Sequence, residues 1–355
     1  MKQGLRKIIG MIVLICMMCG MTFSMTACTK KADNDGKLSI VTTLFPQYDF
    51  AKQIAGNKAN VTLLLSPGME AHSYDPTPAD IVEINESDLF IYTGENMETW
   101  AAKIIKSLEK DVKVLDVSEG IELTQTEDEH DEHNDEDAAE ESVESESNAG
   151  ESEHEESEHE EAEHEESESD GHTHSHIYDP HIWTSPVMAK QMVENILEGL
   201  IAVDPENEDY YRENAANYLT QLDELDAEIR NVVDGADIKT IYFADKFAMY
   251  YFVQEYGLDY VSAYDSCSSE TEPSAKLVAQ MVEEVKESNA PAIFYAELSN
   301  HKAADTISQE TGTEALLLHS CHNVSKDEFE SGATYISLMK QNITNLKKGL
   351  YVSEN

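Results

Sequence analysis

Basic residues are scarce in this chain of 355: 24 Lys and Arg stand against 71 Asp and Glu, for a formal net charge of −47. A surface so short of cations does not suit a phosphate backbone, which argues against nucleic acid as a partner, while its field draws cations in. Long apolar runs are lacking too. The one near the start, about residues 8–21, is too short to span a bilayer well. No His-Glu-x-x-His pair and no nucleophile motif is present, so the usual signatures of a zinc hydrolase are missing. Cysteine is limited to five residues, and three of them lie within the first 28.

What is there instead is an acidic, histidine-studded tract. Between Glu127 and Asp170 there are 24 Asp or Glu and no Lys or Arg. Eight of the 13 histidines follow one another here: His130, His133, His154, His159, His164, His172, His174 and His176. Such a stretch cannot bury a core and must stay solvated, yet its imidazoles and carboxylates form a multidentate bait for divalent metal. The pentad Glu151-Ser152-Glu153-His154-Glu155 recurs twice, and histidines five apart do not stack on one helix face. The tract therefore reads as a flexible, low-affinity reservoir, the alternative being a solvating spacer. Its histidine enrichment favours zinc over manganese, whose sites lean towards oxygen.

Residues 1–27 read as a leader: Lys2, Arg6 and Lys7, the apolar run, then Met25-Thr26-Ala27 before Cys28. The ending resembles a bacterial lipobox, which implies lipidation of Cys28, export, and anchoring to the outer face of the cytoplasmic membrane. A plain secretory signal cleaved nearby is the alternative. Residues 28–36 read as a tether. Of the cysteines, Cys267 and Cys321 then remain. A disulfide is the usual state of two exported cysteines, with free thiols or a metal thiolate as the other readings.

Along the rest of the chain, β-rich runs at 38–44, 61–65, 89–92 and 113–117 alternate with helical spacing at 48–55, 78–85 and 100–108. After the tract, 186–201 is helical until Asp204-Pro205 breaks it. A longer amphipathic pattern covers 206–233, with Tyr211, Tyr218, Leu222, Leu225 and Ile229 as its stripe, long enough for a helix of about 40 Å. Strands at 240–243, 260–263, 292–295 and 314–318 then alternate with helices at 247–256, 273–287 and 303–311, and a helix over 332–350 closes the chain. The pattern predicts an α/β fold of two lobes with mainly parallel sheets, joined by the long helix. The lobes would be 37–185, carrying a disordered insertion at 122–176, and 237–355, with the helical segment 186–236 between them.

Five histidines lie outside the tract: His72, His181, His301, His319 and His322. His72 follows the second strand, His181 sits in a turn before a helix, and His319 ends the strand at 314–318. Open α/β folds bind ligands in such loops, and zinc takes a few neutral imidazoles plus a carboxylate. His301 reads as solvent-exposed.

Two phrases are more specific. Pro67-Gly68-Met69-Glu70-Ala71-His72-Ser73-Tyr74-Asp75-Pro76-Thr77-Pro78 and Asp179-Pro180-His181-Ile182-Trp183-Thr184-Ser185-Pro186 resemble the zinc/manganese-type solute-binding lipoproteins of bacterial ABC importers, in the zinc branch with a His-rich acidic loop. Thr93-Gly94 with Trp100, Asp204-Pro205 with Tyr211 and Asn214, and the closing stretch from Tyr335 to Asn345 share the likeness. The resemblance implies a monomer with metal held between its lobes. It implies Zn2+ as the transported ligand, with Mn2+ as the alternative, and a permease with its ATPase as partners. It also implies that His72 and His181 are ligands.

The second lobe departs from that pattern. Where the family has a histidine before an Ala-Phe-x-Tyr helix, this chain has Phe243-Ala244-Asp245-Lys246-Phe247. Asp245 is the substitute, and His319 stands where the last carboxylate is usual, so the expected set is His72, His181, His319 and Asp245. Cys267, Cys321 and His322 are additional candidates. A disulfide would leave His322 at the surface or in support, and thiolates would make the site softer. Glu70 and Glu297 read as solvated or supporting carboxylates, with direct ligation as the alternative. The expected function is capture of Zn2+ for an importer. A manganese importer component, a surface zinc buffer or adhesin, and an exported metallohydrolase are the rivals.

Overall fold

The computed structural model describes residues 36–108, 112–126, 177–264 and 273–351. The leader, Cys28, the tract with its eight histidines, and Cys267 lie outside these residues.

In chain order the elements are β1 (Leu38–Thr42), α1 (Phe45–Ala55), β2 (Ala59–Leu63), α2 (Pro78–Glu86), β3 (Leu89–Tyr92), α3 (Ala101–Ile105) and β4 (Lys113–Asp116). The short strands β5 (Gln125–Thr126) and β6 (Ile177–Tyr178) follow, then the helices α4 (Pro186–Val203) and α5 (Glu208–Asp234). The remainder is β7 (Thr240–Phe243), α6 (Tyr250–Tyr256), β8 (Asp259–Ser262), α7 (Ala275–Ser288), β9 (Ala292–Tyr295), α8 (Lys302–Thr311), β10 (Glu314–Leu317), α9 (Lys326–Ser331) and α10 (Tyr335–Gly349).

Two four-stranded sheets result, ordered β2-β1-β3-β4 and β10-β9-β7-β8. Counted within its own sheet, each has the order 2-1-3-4. The ladders β1/β3, β3/β4, β7/β8, β7/β9 and β9/β10 are all parallel. Their strands are short apolar runs, as expected where helices cover both faces; β3, Leu-Phe-Ile-Tyr, is buried at every residue. The first lobe packs Val41, Ile84, Phe90 and Ala101 together, and the second packs Ile293, Met281, Val285 and Ile307. In such sheets the ligand crevice lies beyond the carboxyl ends of the strands, where the order reverses.

α5 contacts α1, α4 and α10, burying Tyr211, Tyr218, Leu222, Leu225 and Ile229, the stripe the sequence shows. Its 27 residues make it about 40 Å long. One buried carboxylate joins three of these helices. Asp49 Oδ2, on α1, accepts from the Tyr218 hydroxyl of α5 at 3.2 Å and from the Tyr335 N–H of α10 at 2.9 Å. Burial raises the pKa of Asp49 above the ordinary carboxylate value.

Three local differences from the expected elements matter. The closing helix begins at Tyr335, capped by Thr334, and a separate helix, α9, precedes it and ends at Gly332. α6 begins at Tyr250, leaving 244–249 as a loop facing the crevice. Ordered chain also reaches past residue 122, because β5 and β6 pair antiparallel, Gln125 with Tyr178 and Thr126 with Ile177, and draw together the two ends of the tract. Among the described residues no helix is long and apolar enough to cross a membrane.

Candidate metal centre

His72 is carried by the loop between β2 and α2. Gly68 takes φ +86° there, a conformation that strains residues bearing a Cβ. The loop is held from the other lobe. The Gly68 N–H donates to Val324 O at 2.8 Å, and Asn323 Nδ2 donates to Ser66 O at 2.9 Å and Met69 O at 2.8 Å.

His181 is fully buried and precedes the one-turn helix Ile182–Thr184. Its Nδ1 lies 2.9 Å from Asp179 Oδ1, which also accepts the His181 N–H at 2.8 Å. Burial acts to raise the Asp179 pKa, and the pairing with His181 outweighs it, leaving the carboxyl below its ordinary value. A proton held on Nδ1 leaves the Nε2 lone pair free, the arrangement that orients metal-binding imidazoles. The second lobe braces this segment on both flanks: the Tyr251 hydroxyl donates to Asp179 O at 2.7 Å, and Trp183 Nε1 donates to Ser320 O at 2.9 Å.

The third imidazole is His322, in the loop after β10. His72, His181 and His322 each offer one nitrogen, all within 4.8 Å of one another. Ring centroids are 5.3 Å apart for His72 and His181, 5.0 Å for His72 and His322, and 5.2 Å for His181 and His322. The Nε2 atoms of His72 and His181 are 3.3 Å apart. Two lone pairs at that distance repel unless a proton or a cation lies between them. Zn–N bonds of about 2.0–2.1 Å at the tetrahedral angle set nitrogens about 3.3–3.4 Å apart, so the spacing fits the ion. His322 Nε2 is buried with no hydrogen-bond partner. Burial, then His181 and His72, hold the His322 pKa well below that of an ordinary imidazole, so it stands neutral and ready to ligate.

A cavity of about 230 Å³ adjoins the triad, lined among others by His72, His322, Glu70, Asp245 and Glu297. Asp245 Oδ1 accepts the Lys246 N–H at 2.8 Å, while Oδ2 is buried without a partner. Asp245 is outside the group within 4.8 Å but faces the same space, where a carboxylate or water would complete four-coordination.

His319 is where the expected site and the structure part. Its ring is fully buried but turned away from the triad: Nδ1 accepts the Cys321 N–H at 2.8 Å, and Nε2 faces Glu328 Oε1 at 3.8 Å. Asn342 clasps its backbone from both sides, accepting the His319 N–H and donating to its carbonyl, each at 2.7 Å. His322, an additional candidate in the sequence, is the imidazole that the structure brings together with His72 and His181, while His319 lies outside that group. The physical reason is the turn between them: Cys321 has φ +61°, which swings the chain so that residue 322 faces the crevice. Cys321 is a free, buried thiol whose pKa burial raises, outside the triad and unsuited to thiolate ligation. Glu70 is exposed and accepts the His72 N–H at 3.4 Å. His301 is exposed, as its sequence context suggests. No signal within the segment separates the two histidines; what turns His322 to the crevice is the contact of the turn with Glu297 and Asn342, distant in sequence.

Residues 40–349 match the family described as zinc-uptake complex component A, periplasmic. The chain is 35% identical over 347 residues to the high-affinity zinc uptake system protein ZnuA of Bacillus subtilis (strain 168), covering 97% of each. It is 32% identical over 324 residues to the zinc-binding lipoprotein AdcA of Streptococcus pneumoniae (strain ATCC BAA-255 / R6), covering 91% of this chain but 58% of that protein. Among solved structures, the Zn(II)-bound ZnuA-like domain of Streptococcus pneumoniae AdcA superposes with a TM-score of 0.68 at 30% identity, covering 89% of this chain and 99% of the domain.

Proposed function

The chain belongs to the family of the periplasmic zinc-uptake complex component A, and from that membership we propose that it captures Zn2+ outside the cytoplasm and hands it to a membrane importer. The observation that carries the reading is the convergence of His72, His181 and His322, with one nitrogen of each within 4.8 Å of the others. These three are the ligands, and Asp245 or a water is the fourth. A nitrogen-rich tetrahedral set favours Zn2+ over Mn2+, which prefers more oxygen. Capture needs no reaction step. Asp179 fixes the His181 ring, burial keeps His322 unprotonated, and the lobes enclose the ion. Because protons compete for imidazole nitrogen, binding weakens as pH falls, which is one route to release. The permease and its ATPase as partners, lipid anchoring through Cys28 at the outer face of the cytoplasmic membrane, a monomeric state and an accessory role for the acidic tract belong to the same proposal.

The test is a competition titration of the full chain, and of the chain lacking 127–176, with Zn2+ and Mn2+. One tight zinc per chain in both forms, with manganese far weaker, is the expected result. Loss of tight zinc binding along with the tract would overturn the importer reading in favour of a surface buffer.

A further inference from the structure

The turn Ser320–Cys321–His322 presents its N–H groups inward, and each one is taken by a side chain. Glu297, two residues past the end of β9, takes two of them. Its Oε2 accepts the Ser320 N–H at 2.8 Å, and its Oε1 accepts the Ser320 hydroxyl at 2.5 Å and the His322 N–H at 3.2 Å. The Cys321 N–H goes to His319 Nδ1 at 2.8 Å. This is a backbone concavity closed around an anion, with the middle residue at φ +61°, a conformation that costs a non-glycine residue and persists only where its surroundings impose it. The Glu297 side chain is only 7% exposed, so these hydrogen bonds form away from competing water.

We propose that Glu297 is a positioning residue for zinc capture. Its carboxylate shapes the Ser320–His322 turn so that His322 aims Nε2 at the other two imidazoles, and Glu297 does not itself ligate the ion. Both oxygens already accept from the turn. Without that carboxylate the Ser320 N–H would lose its acceptor, and the His322 N–H would keep only the Ser320 hydroxyl, at 3.2 Å, whose own anchor is Glu297. The left-handed Cys321 would then be held by His319 Nδ1 alone. The inference rests on the zinc-capture reading above.

The experiment is a double-mutant cycle on the full chain, with zinc affinity read by chelator competition for wild type, Glu297→Ala, His322→Ala and the double variant. Loss of a supporting residue typically weakens a metal site by roughly 10–100-fold. That loss is expected for Glu297→Ala in the wild-type background. In the His322→Ala background Glu297→Ala should change affinity by no more than about twofold, the scatter of independent measurements. With Co2+ in place of zinc, Glu297→Ala should alter the d–d spectrum in the same way as His322→Ala. Equal losses in both backgrounds would overturn the positioning role while leaving zinc capture intact. Absence of a tight site in wild type would overturn zinc capture itself. Should Glu297→Ala fail to fold, Glu297→Gln takes its place in the cycle. It keeps an acceptor for Ser320 and turns an amide towards the His322 N–H, so a smaller, non-additive loss is expected, and an additive one would overturn the proposal.

Discussion

His72 and His322 stand 5.0 Å apart ring to ring, yet the segments that carry them have little in common. Within its own lobe the His322 turn is held by Glu297, His319 and Asn342, which take up backbone groups of residues 319–322, and the first lobe adds Trp183 Nε1 on the Ser320 carbonyl. The His72 loop has few such supports. Within its own lobe it is tied near its ends, by Leu64 and Leu65 to β1 and the residue after it and by the Tyr74 hydroxyl to Asp80, while around Gly68 its bonds run to Asn323 and Val324, across the crevice. The two walls of the centre hold each other, through Trp183 on Ser320 and through Asn323 on Ser66 and Met69, but the His322 wall carries the denser support of its own.

The largest effects should fall on the proposed ligands. His181→Ala and His322→Ala should each weaken zinc binding by more than the roughly 10–100-fold that a supporting residue costs. His319→Ala should act chiefly on stability. It leaves the buried Cys321 N–H without an acceptor, at about 1–3 kcal/mol, read as a lower Tm with the tight zinc site weakened but present. Abolition of zinc binding by His319→Ala with retention in His322→Ala would reverse the assignment of the two histidines. Next comes Asp179→Asn, which should cost roughly 10–100-fold in zinc affinity by releasing the His181 ring; an unchanged affinity in titration would mean that packing alone orients His181. A smaller loss is expected for Asn323→Ala, which frees Ser66 O and Met69 O. Zinc should weaken by less than about tenfold, because the freed carbonyls near the surface can find water, while the buried Val324 N–H loses its acceptor and lowers Tm modestly. A collapse in Tm would instead make Asn323 a structural pin.

The smallest effect lies away from the metal and serves as a control. Glu98, in the first lobe, is bonded to Thr43 and Gln47 and accepts the Thr93 N–H at 3.0 Å. Burial raises its pKa from 4.5 to about 7. Between those values the folded chain holds a proton that the unfolded chain has lost. Stability should therefore fall as pH rises from 4.5 to about 7 and level off above, by up to roughly 1.4 kcal/mol per pH unit. In Glu98→Gln, Tm measured across that range should be flatter, and zinc affinity at fixed pH should not change.

Much of this molecule is legible as a string. The strands are short apolar runs, and the helix starts carry their own signals, such as Ser185 before Pro186 and Thr77 before Pro78, both with side chains that cap the helix. The His181 motif contains its own support, since Asp179 lies two residues away. The missed elements have local causes: α9, the six residues just before the expected closing helix at 332–350, is too short to show a helical period, and the β5/β6 ladder joins residues separated by the whole tract.

The elements, the two-lobe plan, the acidic character and two of the three imidazoles were all present in the order of residues, because periodicity, capping and a histidine next to its carboxylate are relations over a few positions. The third imidazole was not. Which of His319 and His322 faces the crevice depends on a left-handed Cys321, on Glu297, 23 residues before Ser320, and on Asn342, 23 residues after His319. No local pattern encodes that choice. It follows from buried N–H and C=O groups finding acceptors and donors that folding alone brings within reach.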